Sequence, residues 1–244
     1  MTAPVFLVNP GEISSEVKTY TLDGDEGRHA ATVKRVREGE VIHLCDGKGA
    51  RAVATVVKVH KQSLELTVEQ FSFEAAPEPR LIVVQALAKG ERAELAVEML
   101  TEVGADAIVP WRAEHSIGKW DSVDKGLEKW RRTSRESTKQ SRRAWMPEIS
   151  ELHTTAQVCQ LMSQAQSVFV LHESADQALA ACAIREQGTI MIVVGPEGGI
   201  SPDELAAFST AGARVVHMGA SVMRTSTAGA IAVGGLLMRS QRWS

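Results

Sequence analysis

The chain has 244 residues, 44% of them hydrophobic and 23% charged, with a formal net charge of −3. That balance belongs to an ordinary globular protein able to bury one or two cores. It excludes a disordered chain, a collagen-like repeat and, with only 3 Cys, a disulfide scaffold. No apolar run approaches the roughly 18–20 residues of a membrane span.

The start of the chain lacks a basic stretch followed by a long apolar one, so a cytoplasmic protein with free thiols is expected. Residues 1–74 read as β-rich. Gly24-Asp25-Glu26-Gly27 precedes a short helical stretch from Arg28 to about Val36. Val41–Cys45 leads into the turn Asp46-Gly47-Lys48-Gly49, and Ala52–Val59 and Leu64–Val68 follow as short alternating strands. Short strands at this spacing predict a small barrel. Ala75-Ala76-Pro77-Glu78-Pro79 is the one linker-like stretch, and it predicts a boundary between a domain at 1–74 and one at 75–244.

From Arg80 strands and helices alternate, which predicts a mostly parallel α/β sheet. Leu81–Leu87 reads as a buried strand. Glu91–Val103 has helical spacing and Gly104 a plausible stop. Ala107–Pro110 is a short strand, and Lys125–Arg143 a long polar helix. Val168–Leu171, Thr189–Val194 and Arg214–Met218 are further strands, and a last helix runs from about Ser226 to Ser240.

Three features carry possible chemistry. Gly195-Pro196-Glu197-Gly198-Gly199-Ile200-Ser201-Pro202-Asp203-Glu204 leaves a strand and opens a helix. Ser201 fits the N-cap, Pro202 the first helical position, and Glu204 completes a capping box. The glycines let backbone approach a ligand, although a tight turn with a good cap explains them as well. Met218–Ala230 also leaves a strand and enters a helix, with Arg224 and the hydroxyls Thr225-Ser226-Thr227. Ser226 or Thr227 is the expected cap. That helix is small and apolar, which suits a close contact, including one with a second subunit. Finally, Glu128–Arg143 holds seven basic and two acidic residues. Arg131, Arg135 and Lys139 lie four apart, forming a stripe that offers phosphate contacts or a solvated face. Histidines are scattered and no CxxC pair occurs, so no metal site is expected.

In order and spacing these motifs resemble, over nearly the whole chain, the RsmE-type 16S rRNA (uracil-N3) methyltransferases of the SPOUT superfamily. The resemblance rests on Gly195–Ser201, on Gly219 with Val222-Met223-Arg224-Thr225, and on Thr227-Ala228. It also rests on Gln85-Ala86-Leu87-Ala88-Lys89-Gly90-Glu91-Arg92, Thr101–Ala105, Glu136, Gln140-Ser141, Arg143 and Pro147-Glu148-Ile149. In the first domain His29, Val33, Arg35, Gly39 and Asp46-Gly47 match. Where that family carries Arg-Thr-Glu-Thr, this chain has Arg224-Thr225-Ser226-Thr227.

The resemblance implies an N-terminal PUA-like β-barrel and a C-terminal SPOUT α/β trefoil knot. It implies S-adenosyl-L-methionine as methyl donor, a homodimer, and a uridine in the decoding region of small-subunit rRNA as acceptor. The cofactor loops would be Leu171-His172, Gly195-Pro196-Glu197-Gly198-Gly199, Met218-Gly219, Val222-Met223 and Thr225-Ser226-Thr227-Ala228, with Arg224 the catalytic group. His29, Lys34, Arg35, Arg37, Lys89, Arg131, Arg135 and Arg143 would bind RNA. No membrane or metal is implied. A related methyltransferase acting on tRNA or ribose 2′-OH, and a non-catalytic ribosome-assembly factor, are the alternatives. The net charge does not oppose RNA. Residues 1–74, 75–143 and 144–244 carry −2, +2 and −3, so the average hides a local excess.

Overall fold

The structure, a computed structural model, describes residues 3–118 and 120–243. Its contacts divide them into two units. One runs to Ala76 and includes Thr138–Met146; the other comprises Pro77–Ser137 and the chain from Pro147 onward. The change of unit at Ala76–Pro77 falls inside the proline-containing linker, and the span expected at 75–244 gives up Thr138–Met146 to the first unit.

In the first unit β1 (Val5–Leu7) and β2 (Thr19–Leu22) precede a helical turn, α1 (Gly24–Arg28), and a π-helical stretch at His29–Lys34. The helical segment thus begins four residues before the expected Arg28. Arg35 ends it with φ 53°, a left-handed conformation that a non-glycine residue adopts at a cost. Then come β3 (Val41–Cys45), β4 (Ala50–Val59) and β5 (Leu64–Phe73). The sheet order is β1-β3-β4-β5-β2, a curled half-barrel with β1 and β2 at its edges, as the expected small barrel requires. Register shifts between Val53 and Ala54 and between Val56 and Lys58 let the long β4–β5 ribbon bend. Phe6, Leu22, Ile42, Leu44, Leu64 and Leu66 fill the concave side. The Cys45 thiol is buried, donates to the Arg143 and Ala144 carbonyls, and accepts from Gly47 N–H. These bonds seat residues 143–144 against the Asp46-Gly47 turn.

The second unit is built from β6 (Arg80–Ala86), α2 (Arg92–Val103), β7 (Ala107–Trp111), α3 (Val123–Ser141) up to Ser137, β8 (Glu148–Ile149), α4 (Thr155–Met162), β9 (Ser167–Leu171), β10 (Thr189–Val194), α5 (Pro202–Thr210), β11 (Arg214–Val216) and α6 (Thr225–Leu237). Gly104 stops α2 with φ 114°. The six strands are all parallel, in the order β11-β9-β10-β6-β7-β8. Because a pleated strand alternates its side chains, Leu81 and Val83 of β6 join the core under α2 and α6. Ile82, Val84 and Ala86 join the core under α4 and α5. Gly229 lets α6 approach closely: a methyl group there would lie 3.1 Å from Leu100 and 3.2 Å from Val194.

The helix expected at 125–143 runs over Val123–Ser141 and is not polar throughout. Leu127, Trp130, Ser134, Ser137 and Thr138 are buried at helical spacing, a stripe that the charged residues mask in composition.

Candidate functional site

The carboxyl ends of β9, β10 and β11 surround a cavity of about 430 Å³. Parallel α/β sheets bind ligands at this edge because the loops there leave the sheet toward opposite faces and open a crevice. Its walls mix apolar side chains (Leu171, Val194, Ile200, Val216, Met218, Val222, Met223, Ala228) with polar ones (Arg92, His172, Glu173, Glu197, His217, Ser221, Arg224, Thr225), and Gly195, Pro196, Gly199 and Gly219 complete the lining.

Each loop is held by its own local chemistry. Ser201 caps α5 in a capping box: its hydroxyl accepts from Glu204 N–H, and the Glu204 carboxylate accepts from Ser201 N–H. Pro202 takes the first helical position as expected. Of the three glycines before it only Gly199 has a left-handed φ, 77°. Gly195 and Gly198 are needed for space instead. A methyl group would lie 2.6 Å from Ile200 at the first, and 3.0 Å from the His115 carbonyl oxygen at the second. The Glu197 carboxylate accepts from Lys89 N–H at 3.2 Å and so ties the loop after β6 to the loop after β10.

On the other wall His217 Nδ1 accepts from Gly219 N–H at 3.1 Å, and His172 Nδ1 accepts from Ser174 N–H at 3.2 Å. Each neutral ring therefore carries its proton on Nε2. Gly219 takes φ 118° and a Cβ there would meet nothing within 4 Å, so the backbone lies open.

The α6 cap differs from expectation. Arg224 is the N-cap and makes no side-chain cap bond; the helix starts at Thr225, one residue before Ser226, and stops at Leu237. Thr225 Oγ donates to the Gly195 carbonyl at 2.6 Å. The Arg224 guanidinium, exposed, makes no ion pair among the described residues, and neither does that of Arg92, which opens α2. Two unpaired guanidinium groups and the positive ends of two helices therefore meet one cavity.

The cavity gathers Leu171, His172, Gly195, Pro196, Glu197, Gly199, Met218, Gly219, Val222, Met223, Arg224, Thr225 and Ala228 from the expected set. Gly198, Ser226 and Thr227 are not in its lining: Gly198 packs on His115, Ser226 is buried in the helix, and Thr227 Oγ donates back to the Arg224 carbonyl. The expected cofactor set did not include Arg92, Glu173, Val194, Ile200, Val216 and His217; Ser221 lies within the expected Met218–Ala228 loop. The rule that ligands sit beyond strand ends reaches Val194, Val216 and His217; Arg92 comes in only through the tertiary fold.

The expected RNA contacts divide as well. In the first unit Lys34, Arg35 and Arg37 are exposed, and His29 stacks edge-on against Phe6. Lys89 is exposed beside the cavity. On α3 the basic stripe is broken up: Arg131 pairs with Glu151 at 2.8 Å and Lys139 is buried against Glu26 at 3.2 Å. Arg135 and Arg143 are partly buried. Among the described residues no group of three or more His, Cys, Asp or Glu is placed to hold a metal ion.

Comparison with known proteins agrees with this architecture. A family model described as RNA methyltransferase domain matches residues 76–237, and one described as RNA methyltransferase PUA domain matches 22–69. The ribosomal RNA small subunit methyltransferase E of Mycobacterium bovis is 44% identical over 91% of this chain and 87% of its own length. The protein of the same name from Bacillus subtilis is 25% identical over 93% and 92%. A crystal structure of the Neisseria gonorrhoeae ribosomal RNA small subunit methyltransferase E, bound to S-adenosyl methionine, superposes with a TM-score of 0.88 at 25% identity and 98% coverage of both chains. A Legionella pneumophila putative methyltransferase shares the fold at a TM-score of 0.89 and 23% identity, over 98% of this chain and 99% of its own. By the methyltransferase model over 76–237 and the 44% identity to the mycobacterial relative over 91% of this chain, the chain belongs to the family of ribosomal RNA small subunit methyltransferases E.

Proposed function

We propose that this protein transfers the methyl group of S-adenosylmethionine to N3 of one uridine in the decoding region of small-subunit rRNA, acting as a cytoplasmic homodimer. The observation that carries the reading is the cavity at the ends of β9, β10 and β11, with an unpaired arginine at its rim.

The residues present fit the cofactor. The volume lies in the ~300–1,000 Å³ range of cofactor sites. Leu171, Val194, Val216, Met218 and Ala228 offer apolar walls for a flat ring, and the empty space at Gly199 and Gly219 leaves backbone open for polar groups. Leu171-His172, Gly195–Gly199 and Met218–Met223 would hold it. When bound, the cofactor supplies an electrophilic methyl group on a sulfonium.

The chain's own part is electrostatic and geometric. Removing the N3 proton places negative charge on the uracil carbonyl oxygens. Arg224 stays charged at any working pH and stabilises that charge as an oxyanion donor does. It acts from the N-terminal end of α6, whose first turn holds no acidic side chain. Ser226, buried where the family carries a carboxylate, supplies no base, and the proton leaves to solvent. Exposed Lys34, Arg35 and Arg37 grip the backbone around an unpaired target base. Leu95 on α2, with Ile231 on α6 and Met238 at its C-cap, is exposed and apolar, which supports a second copy at these packed helices.

The reading is tested by calorimetry with S-adenosylmethionine, and by mass mapping of nucleosides after methylation of small subunits from a strain lacking the enzyme. We expect 3-methyluridine at one position. Arg224→Ala should lower the single-turnover rate by about 10²–10³-fold with little change in cofactor affinity. A product methylated on ribose or on tRNA would overturn the assignment, as would an unaffected Arg224→Ala.

A further inference from the structure

Gln85 is out of character with its strand. The residues of β6 from Leu81 to Ala86 are buried, and the pleat puts Gln85 on the same side as Leu81 and Val83, under α6. Its side chain is 1% exposed. The amide Nε2 donates to Thr225 Oγ1 at 3.0 Å, with longer contacts to the Ala86 carbonyl at 3.2 Å and the Thr225 carbonyl at 3.4 Å. The Oε1 has no hydrogen-bond partner among the described residues. An apolar side chain of equal length would avoid burying that acceptor. Stability therefore does not explain the amide.

Its connections do. The Thr225 hydroxyl has one proton and gives it to the Gly195 carbonyl at 2.6 Å, so it meets Gln85 with a lone pair. The chain Gln85 to Thr225 to Gly195 links the end of β6, the first residue of α6 and the residue after β10. Thr225 and Gly195 line the cavity; Gln85 does not. Arg224 immediately precedes Thr225 and has no cap bond of its own to fix it.

We propose that Gln85 is a positioning residue: through the Thr225 hydroxyl it locks the loop after β10 against the start of α6, and so sets the cofactor pocket and the direction of Arg224. A corollary is that the Thr225 hydroxyl donates to the protein and not to the cofactor. The inference rests on the methyl-transfer reading.

The test uses the full chain and three variants: Gln85→Met, Thr225→Val and the double variant. Gln85→Met keeps length and packing and deletes the amide. We expect its thermal midpoint at or above that of the parent. The calorimetric Kd for S-adenosylmethionine should weaken about tenfold and kcat fall by up to about 10²-fold, as small misplacements of reacting groups do. KM for the RNA should stay unchanged. Thr225→Val should behave alike, and the double variant should lose no more than either single one, because one chain is broken once. Parent-like Kd and kcat in Gln85→Met would overturn the proposal, as would additive losses. If Gln85→Met fails to fold, Thr225→Val carries the same expectations, and parent-like values there overturn it. Failure of the parent itself to bind S-adenosylmethionine would instead remove the underlying reading.

Discussion

His43, on β3, shows how one side chain couples to pH. Burial first, and then the positive charges of Arg51 and Arg142, hold its imidazole below the usual histidine range. The neutral ring is thus favoured in the folded state, while the unfolded chain takes up a proton near pH 6.5. Stability from this group is present above that value and lost as pH falls through the folded one. We expect the urea midpoint of the first unit to drop between about pH 7 and pH 5, and His43→Gln to flatten that part of the profile. A variant whose profile matches the parent's would place the acid sensitivity elsewhere. Glu12 follows the same sign at lower pH. The Tyr20 hydroxyl, donating at 2.6 Å, and the Asn9 side chain hold its carboxyl below the usual range, so its contribution persists to more acid pH.

At the scale of elements, α5 shows what sequence can and cannot announce. Ser201-Pro202-Asp203-Glu204 specifies the capping box completely, because both bonds are local. The same Glu204 carboxylate also accepts from Glu114 N–H and from Thr155 Oγ, each at 2.9 Å, joining the loop after β7 and the start of α4 to α5. Nothing at Glu204 signals those distant partners. Ser201→Ala should cost about 1 kcal/mol. Glu204→Ala should cost roughly 2–4 kcal/mol in urea unfolding, because it also strands buried donors. Equal costs would mean the tertiary bonds are idle. The same contrast runs through the molecule. Apolar runs located five of the parallel strands, β6, β7, β9, β10 and β11, to within a few residues, since burial on both faces leaves a composition signal; the two-residue β8 is too short to leave one. The hydroxyls Ser226 and Thr227 suggested a cap because caps are usually local, whereas the Thr225 hydroxyl is spent across the sheet on Gly195 and Gln85. The site loops were legible from their glycines and strand ends. The place of Arg92 in the cavity and the role of Gln85 were not, because the tertiary fold alone brings each to its neighbours there, Gln85 to a residue 140 positions away.

For the whole molecule the question is how a chain of net charge −3 holds a polyanion. Sequence pointed both to Lys34, Arg35 and Arg37 and to α3, but the cations of α3 are largely matched: Arg131 by Glu151, Lys139 by Glu26, Lys129 by Glu94. A matched cation releases fewer counterions on meeting a phosphate, because it carried fewer anions beforehand. Lys34, Arg35 and Arg37 lie within one short exposed stretch and make no ion pair among the described residues. The left-handed Arg35 fixes where that stretch turns. Each such cation should add about 0.7 to the slope of log affinity against log salt on single-stranded RNA. Replacing all three by Ala should therefore reduce the slope for a target-site RNA fragment by about 2. Arg131→Ala should reduce it by clearly less than one cation's share. If instead the triple variant keeps the parental slope and Arg131→Ala lowers it by a full share, the electrostatic grip lies on α3 after all. The Glu151 pair would then be one that RNA displaces, as the small energy of exposed ion pairs permits.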